Sequence, residues 1–331
     1  MKDNSLVRIA ALFLAAFCLS GCLAGKYMVK YALLPEEHGN DLVGDRAKWE
    51  ERIPGIMDWY DSLHVAGVFK DTVITGRGGY SLHAVYAPSA PVKCNGVCSR
   101  CSLSEPRGTA VLVHGYTDNH LCMMHLARMY RDDLGFNVLV LDHHFHGMSE
   151  GEAIQMGWLD RFDVEKWIEV AHDIFQDDLM IVHGVSMGGA CTMMVSGDEL
   201  PDYVRGFVDD CGYSSVWDQF AKELKESFHL PPFPILTSAN IVCRHRYGWD
   251  FKEASSLDQL AKCTRPMLFI HGDSDDFVLT SDVYRNYEAK TQGYKDIWVV
   301  PDTDHANSYK NHPQEYTDKV RGFIRVCAGQ Q

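Results

Sequence analysis

The chain has 331 residues, of which 46% are hydrophobic, and it carries a formal net charge of -14. This length and hydrophobic fraction suit one large α/β domain with insertions better than a single small domain. The acidic balance argues against nucleic acid as a partner, because a polyanion is repelled by a negatively charged surface.

The first 21 residues have the pattern of a bacterial export signal. Lys2 and Arg8 precede an apolar run at residues 9–17, and Leu19-Ser-Gly-Cys22 follows. That ending resembles a lipobox, which implies cleavage before Cys22, acylation of Cys22 and membrane attachment through the lipid. Leu23 after the cysteine resembles the sorting signal for the outer rather than the inner membrane. An uncleaved anchor helix is the alternative, because the apolar run nearly reaches spanning length.

Three cysteines form a C-x-x-x-C-x-x-C cluster at Cys94, Cys98 and Cys101, within the proline-bounded segment 88–106. A metal site would need a fourth ligand that the local sequence does not offer. A disulfide with one free thiol is the favoured interpretation for an exported protein, and a metal site remains the alternative. We expect no metal or organic cofactor in the reaction.

Residues 22–66 are predicted to form a lipid-anchored tether and N-terminal helices. Apolar side chains recur at helical spacing over residues 45–64, with Pro54 as an interruption. The pattern predicts one or two packing helices before the main domain, which we place at residues 67–331.

Eight apolar or alternating runs predict strands, and helices separate most of them. The strands are expected at residues 68–75, 81–87, 109–114, 137–142, 179–182, 204–209, 266–271 and 296–300. Helices are expected at residues 121–131, 163–175 and 312–327. The first two strands flank a glycine-rich turn and read as an antiparallel hairpin. The rest of the pattern predicts a mostly parallel sheet with helices on both faces.

A long insertion at residues 212–265 separates two of these strands and is rich in aromatic residues. An insertion at the carboxyl edge of such a sheet lies where ligands bind. Most of its aromatic side chains are expected to pack the insertion itself. Trp217 and Phe228 are the candidates for a substrate pocket.

The segment Gly184-Val-Ser186-Met-Gly188 joins the apolar run 179–182 to a helix-compatible run. A G-x-S-x-G sequence between strand and helix is typical of a nucleophile elbow. Such a serine sits in a strained turn that projects its hydroxyl. Side chains at the two glycines would clash, and the helix N-terminus favours developing negative charge.

A nucleophilic serine needs a base, an acid that orients the base, and donors for an oxyanion. His305 follows the last predicted strand and is the candidate base. Four carboxylates follow earlier strands and are candidates for the acid: Asp209, Asp210, Asp275 and Asp276. The backbone amides of Tyr116, in a glycine turn, and of Met187 are the candidate oxyanion donors.

Several other histidines have structural interpretations. His114, His183 and His271 end strands beside glycine and are expected to hydrogen-bond to loops. His143, His144 and His146 form a run that lacks the carboxylate-rich frame of a metal site.

Together these motifs resemble the α/β-hydrolases, in the group of bacterial serine hydrolases related to esterases and prolyl-oligopeptidase-like peptidases. The resemblance covers residues 109–306 and implies an eight-stranded sheet with a helical cap at residues 212–265. The family pattern H-G-x-x-D-x-x-V-P assigns the acid to Asp275, although Leu279 replaces the proline. It also explains His146 as part of a structural H-G-x-S loop.

The resemblance implies hydrolysis of a small neutral acyl substrate, most simply a carboxylic ester. Ser186 would attack, His305 would transfer the proton and Asp275 would orient His305. A peptidase or aminopeptidase of the prolyl-oligopeptidase type is the first alternative, although the chain has no propeller domain. A lipoprotein that keeps the fold only for binding is the second, and the complete set of three residues argues against it.

Overall fold

The computed structural model describes residues 23–90 and 107–330. Cys22, Cys94, Cys98 and Cys101 lie outside these ranges. The cysteines within them are buried and free: Cys122, Cys191, Cys211, Cys243, Cys263 and Cys327. Burial of these thiols agrees with their apolar sequence contexts.

The chain divides into two compact units. The larger comprises Glu37–Ser214 and Ser255–Gln331, and the smaller comprises Ser215–Ala254 with the described part of Met1–Glu36.

One eight-stranded sheet forms the centre of the larger unit, with the order β1-β2-β4-β3-β5-β6-β7-β8. The strands are β1 Lys70–Thr75, β2 Ser81–Ala87, β3 Thr109–Val113, β4 Asn137–Leu141, β5 Met180–Val185, β6 Val204–Asp210, β7 Met267–Gly272 and β8 Lys295–Val300. Strand β2 is antiparallel to β1 and β4, and the other pairings are parallel. Each predicted strand is present. The inner strands are buried along almost their whole length because helices cover both faces.

Helices surround this sheet in the larger unit. They are α2 Leu42–Arg52, α3 Ile56–Val65, α4 Met124–Arg128, α5 Asp160–Phe175, α6 Met187–Val195, α9 Ser256–Leu260, α10 Ser281–Ala289, α11 Ser308–Asn311 and α12 Pro313–Cys327. Helices α2 and α3 are separated at Pro54, as the sequence predicts. Trp49, Ile56 and Tyr60 join the buried core beside the sheet.

Two helix predictions need correction. The expected single helix at residues 121–131 consists of a 3-10 turn His120–Met123, the α-helix α4 and a π-turn Met129–Asp133. The Asn119 side chain accepts from Leu121 N and starts the tight first turn. Helix α5 begins at Asp160, three residues before the predicted start, and the Asp160 carboxylate accepts from Gly157 N at 2.8 Å.

The smaller unit is helical. Residues 23–33 form helix α1, and the insertion contributes α7 Val216–Phe228 and α8 Pro232–Tyr247. Aromatic rings pack edge to face within this unit, with 4.8 Å between the centroids of Phe220 and Phe251. Across residues 23–90 and 107–330, no helix combines the length and apolar character that crossing a bilayer requires.

Candidate active site

Ser186 lies between the end of β5 and the start of α6, in a strained conformation. Its backbone has φ 57° and ψ -118°, a region that residues other than glycine rarely occupy. The turn is fixed by a hydrogen bond of 2.8 Å from Ser186 N to Asp210 O on the neighbouring strand. Only 8% of Ser186 is exposed. The side chain therefore has a fixed position at the N-terminus of α6, as the elbow sequence predicts.

The glycines of the elbow are required by close backbone approach. A Cβ on Gly184 would lie 2.0 Å from Gly188 O, and one on Gly188 would lie 2.0 Å from Val113 O. A Cβ on Gly189 would lie 2.4 Å from Asp209 Oδ1. Strand, helix and adjacent strand can pack this closely only without side chains at these positions.

A chain of hydrogen bonds joins the three residues that the sequence singles out. His305 Nε2 lies 2.8 Å from Ser186 Oγ, and His305 Nδ1 lies 2.7 Å from Asp275 Oδ2. His305 sits in the loop after β8, and Asp275 in the loop after β7. Because neighbouring parallel strands end at the same edge of the sheet, residues far apart in sequence meet beside Ser186.

Asp275 is buried, yet its surroundings favour the ionised form. Burial by itself would raise the pKa, but hydrogen bonds from His271 and His305 outweigh it and lower the pKa of Asp275 to about 2. Phe277 N and Val278 N also donate to Asp275 Oδ1, at 3.0 and 2.9 Å. An ionised carboxylate can only accept, so His305 Nδ1 carries the proton. In the neutral ring, Nε2 is then free to accept from the Ser186 hydroxyl.

The other three candidate acids have different surroundings. Asp276 is exposed. Asp209 accepts from Gly212 N at 3.0 Å, and burial raises its pKa to about 7. Asp210 accepts from Tyr316 Oη at 2.8 Å and from Ser308 Oγ at 3.2 Å, and burial raises its pKa to about 6. Of the four, Asp275 is the one that contacts His305 directly.

The turn that carries Tyr116 packs against Ser186. Asp118 N donates to Gly115 O at 3.3 Å, and Thr117 has φ 55°. A Cβ on Gly115 would lie 3.5 Å from Ser186 Cβ. The turn and the N-terminus of α6, where Met187 is the first residue, therefore flank the serine from two sides.

The H-G-x-S loop supports this turn. His146 Nε2 accepts from Thr117 N at 3.3 Å, while His146 Nδ1 donates to His144 O at 2.9 Å. The pKa of His146 is held well below its ordinary value, first by burial and then by the neighbouring His114. The contact gives His146 the structural position that the sequence pattern indicates.

Within residues 23–90 and 107–330, two groups of side chains have the donor types of a metal site. One is His83, His120 and Asp142, and the other is Cys211, Asp275 and His305. Asp142 already accepts from His120 N at 2.7 Å and from Met148 N at 3.0 Å. The second group contains the carboxylate and the ring that bond to each other beside Ser186. In both groups the carboxylate oxygens already accept hydrogen bonds, which favours hydrogen-bonded clusters over metal ligation.

The two candidate pocket residues have partners within the smaller unit. Lys252 Nζ lies 4.5 Å from the centroid of the Trp217 ring. The Phe228 ring contacts Tyr31 edge to face, with 5.2 Å between centroids.

Two contacts of this site were missed by the sequence interpretation. One is the approach of His271 Nε2 to Asp275 Oδ2, at 3.1 Å. The contact of 2.9 Å between His271 Nε2 and Val278 O confirms the expectation that His271 bonds to a loop. His271 lies in β7 and Asp275 follows it by four positions in the loop after that strand, and this spacing was the available signal. Arg52 contacts the loop of His305 from helix α2, and no local pattern marks it.

His183 was expected to bond to loops but contacts the hydroxyls of Tyr130 and Tyr316 instead.

Comparison with known proteins agrees with this architecture. The family model for serine aminopeptidase, S33, matches residues 104–228. The uncharacterized protein YqkD of Bacillus subtilis is 30% identical over 217 residues, which cover 65% of this chain and 70% of YqkD. A monoacylglycerol lipase of Mycolicibacterium smegmatis is 34% identical over 88 residues, covering 26% of this chain and 31% of the lipase.

Among solved structures, the Pyrococcus furiosus esterase Pf2001 superposes with a TM-score of 0.59 at 21% identity. The match covers 78% of this chain and 92% of the esterase. The chain belongs to the α/β-hydrolase superfamily, and it is a hydrolase.

Proposed function

We propose that the protein is a serine hydrolase that cleaves a neutral carboxylic ester through an acyl-enzyme intermediate on Ser186. The observation that carries the proposal is the hydrogen-bond chain from Ser186 Oγ through His305 to Asp275 Oδ2. A serine with this base and this ionised acid has what acyl transfer needs.

In the first half of the reaction, Ser186 Oγ attacks the ester carbonyl while its proton moves to His305 Nε2. The ring becomes positively charged, and Asp275 stabilises that charge through Nδ1. The developing oxyanion is bound by the amides of Tyr116 and Met187, the second at a helix N-terminus. His305 then gives its proton to the departing alcohol. In the second half, His305 takes a proton from water, the resulting hydroxide attacks the acyl group, and Ser186 regains its hydrogen.

The test is turnover of p-nitrophenyl esters of increasing chain length beside a panel of aminoacyl p-nitroanilides. Ester turnover without comparable anilide turnover supports the proposal. Hydrolysis of neither panel, with the protein folded, would contradict it.

A peptidase is the second candidate, and it is favoured by the description of the matching family model, serine aminopeptidase. The same groups would act, with an amine as the leaving group. Anilide turnover at a rate comparable to that of esters would select this candidate.

Aromatic residues of the insertion are proposed to set acyl preference, because the segment begins after the carboxyl end of β6, the strand beside β5. Replacement of Trp217 or Phe228 by Ala is expected to shift the preferred ester chain length by two or more carbons, because a larger space admits a longer acyl group. The profile of kcat/KM against chain length checks this. The control is Phe220→Ala, which should lower Tm but keep the profile. An unchanged profile in both pocket variants would show that these residues only pack.

The protein is also proposed to be a lipoprotein of the bacterial cell envelope, more specifically of the outer membrane. In that case Cys22→Ser abolishes lipid attachment and signal cleavage, because the acylated cysteine is what the processing steps require. Incorporation of labelled palmitate and the mass of the mature N-terminus measure this. A wild-type chain that begins at residue 22 without lipid would indicate an ordinary signal peptide, and an uncut chain without lipid an anchor helix.

A further inference from the structure

His305 lies in a loop whose backbone is strained. The loop follows Val300, the last residue of β8, and contains two non-glycine residues with positive φ, Asp302 at 49° and Ala306 at 55°. Such conformations persist only where the surrounding structure holds them. The distance from His305 Nε2 to Ser186 Oγ depends on the conformation of this loop. The contacts that hold the loop therefore affect the reactivity of Ser186.

The support on one side comes from within the sheet region. Ser308 Oγ donates to the buried Asp210 Oδ1 at 3.2 Å. Asn307 Nδ2 donates to Asp304 Oδ1 at 2.6 Å and so closes the loop on itself.

The support on the other side comes from a single arginine 254 positions earlier in the chain. Arg52 Nη2 donates to Ala306 O at 2.6 Å and to Asn307 Oδ1 at 2.5 Å. The first acceptor is the carbonyl of the strained residue directly after His305. Arg52 therefore holds the backbone on which the imidazole is mounted.

Arg52 is itself held in place. Its guanidinium lies over the Trp49 ring, 4.7 Å from the centroid, and Trp49 stacks on His125 with 4.7 Å between centroids. The start of the next helix is fixed by Glu50, whose carboxylate accepts from Gly55 N and Met57 N. These contacts fix the C-terminal end of α2 and hold the Arg52 guanidinium in position.

The same helix is tied to the other flank of the site. Near its start, Asp45 Oδ2 accepts from Asn119 Nδ2 at 2.6 Å, and Asn119 follows the turn that carries Tyr116. Helix α2 therefore connects the Tyr116 turn with the His305 loop. The sequence predicts only a packing helix in this region, whereas α2 contacts loops on two sides of the site.

We propose that Arg52 is a positioning residue for His305. The proposal rests on the proposed function of Ser186 and His305. Arg52 does not touch the reacting atoms. It keeps the loop in the arrangement in which His305 Nε2 can take the proton of Ser186.

The test compares wild type with Arg52→Ala, Arg52→Lys and Arg46→Ala. Arg46 lies on the same helix but pairs with Asp61 and does not contact the loop. The measurements are kcat and KM for a p-nitrophenyl ester, the rate of labelling by a fluorophosphonate, and Tm. Millimolar guanidinium is added to each variant to test chemical rescue.

We expect Arg52→Ala to lower kcat and the labelling rate by about 10- to 100-fold with KM within about threefold, since small misplacement of a reacting group costs rates of this order. Arg52→Lys should fall between, because the lysine ammonium ends one bond short of the position of Nη2, the nitrogen that donates to both acceptors. Guanidinium should restore part of the activity of Arg52→Ala alone. Arg46→Ala should keep wild-type kcat.

Wild-type kcat and labelling in Arg52→Ala, or an equal loss in Arg46→Ala, would overturn the inference. If Arg52→Ala does not fold, a wild-type labelling rate in folded Arg52→Lys has the same consequence. A wild-type protein that is not labelled at all contradicts the proposed function instead, so the two failures are distinguishable.

Discussion

Ser186→Ala is expected to lower kcat for ester hydrolysis by about 10⁶, the order of loss measured when a serine nucleophile is removed from a comparable constellation. The reason is that Ser186 Oγ, which lies 2.8 Å from His305 Nε2, is the only hydroxyl bonded to that nitrogen among the residues that the structure describes. The measurement is kcat on a short p-nitrophenyl ester. The control is Ser274→Ala, which removes an exposed hydroxyl one position before Asp275 and should leave kcat unchanged.

The Ser186→Ala protein should remain folded. Alanine meets the same backbone strain as serine at φ 57°, and the substitution removes one side-chain hydrogen bond, typically worth about 1 kcal/mol. A small change in Tm therefore separates loss of chemistry from loss of structure. A folded Ser186→Ala protein with more than about a tenth of the wild-type kcat, a change below about 1.4 kcal/mol in the barrier, would exclude Ser186 as the nucleophile.

The second large effect is expected for Asp275→Asn, a loss in kcat of about 10⁴, following the precedent of serine proteases. An asparagine can donate as well as accept, so His305 can adopt the tautomer with the proton on Nε2. That tautomer cannot take the proton of Ser186. Asp275→Asn also removes the charge that stabilises the protonated ring.

The controls for this prediction are Asp210→Asn and Asp276→Asn, each expected to cost at most about tenfold. Asp276 is exposed, and Asp210 bonds to Tyr316 and Ser308 rather than to His305. If Asp210→Asn is inactive while Asp275→Asn keeps near-normal turnover, the acid lies on β6 and the present assignment is wrong. Tm must accompany each value, because a buried aspartate also contributes to stability.

The pH dependence of the free energy of unfolding tests whether Asp275 is ionised in the folded protein. Its pKa in the folded protein, about 2, lies below the ordinary value of 3.8. A lowered pKa means that the ionised form contributes stability above the ordinary value and that this contribution is lost as the pH falls through 2. The stability difference between wild type and Asp275→Asn should accordingly be largest near neutral pH and shrink in acid.

The sheet was predictable because buried parallel strands are short apolar runs that stand out from the helices between them. The β5 run before Ser186 is an example, since it is apolar on both faces. The helix after β3 was less predictable. Its apolar residues recur at helical spacing, but the segment starts as a 3-10 turn capped by Asn119 and ends as a π-turn at Met129–Asp133. The spacing of the apolar residues does not reveal these changes in hydrogen bonding.

The candidate site was predictable where residues follow strand ends. Ser186, Asp275 and His305 each lie in the turn or loop that follows a parallel strand, so the three residues meet at one edge of the sheet. Arg52 could not be predicted in this way. It reaches the site from a helix outside the sheet, through contacts with Ala306 O and Asn307 Oδ1 that depend on tertiary packing alone.

The assignment of Ser186 as the nucleophile is tested by covalent labelling with a fluorophosphonate, with the site mapped by mass spectrometry of peptides from the intact, folded protein. We predict one adduct, on Ser186, and no adduct in Ser186→Ala. Equal labelling of the wild type and Ser186→Ala, or an adduct mapped to another serine, would contradict it.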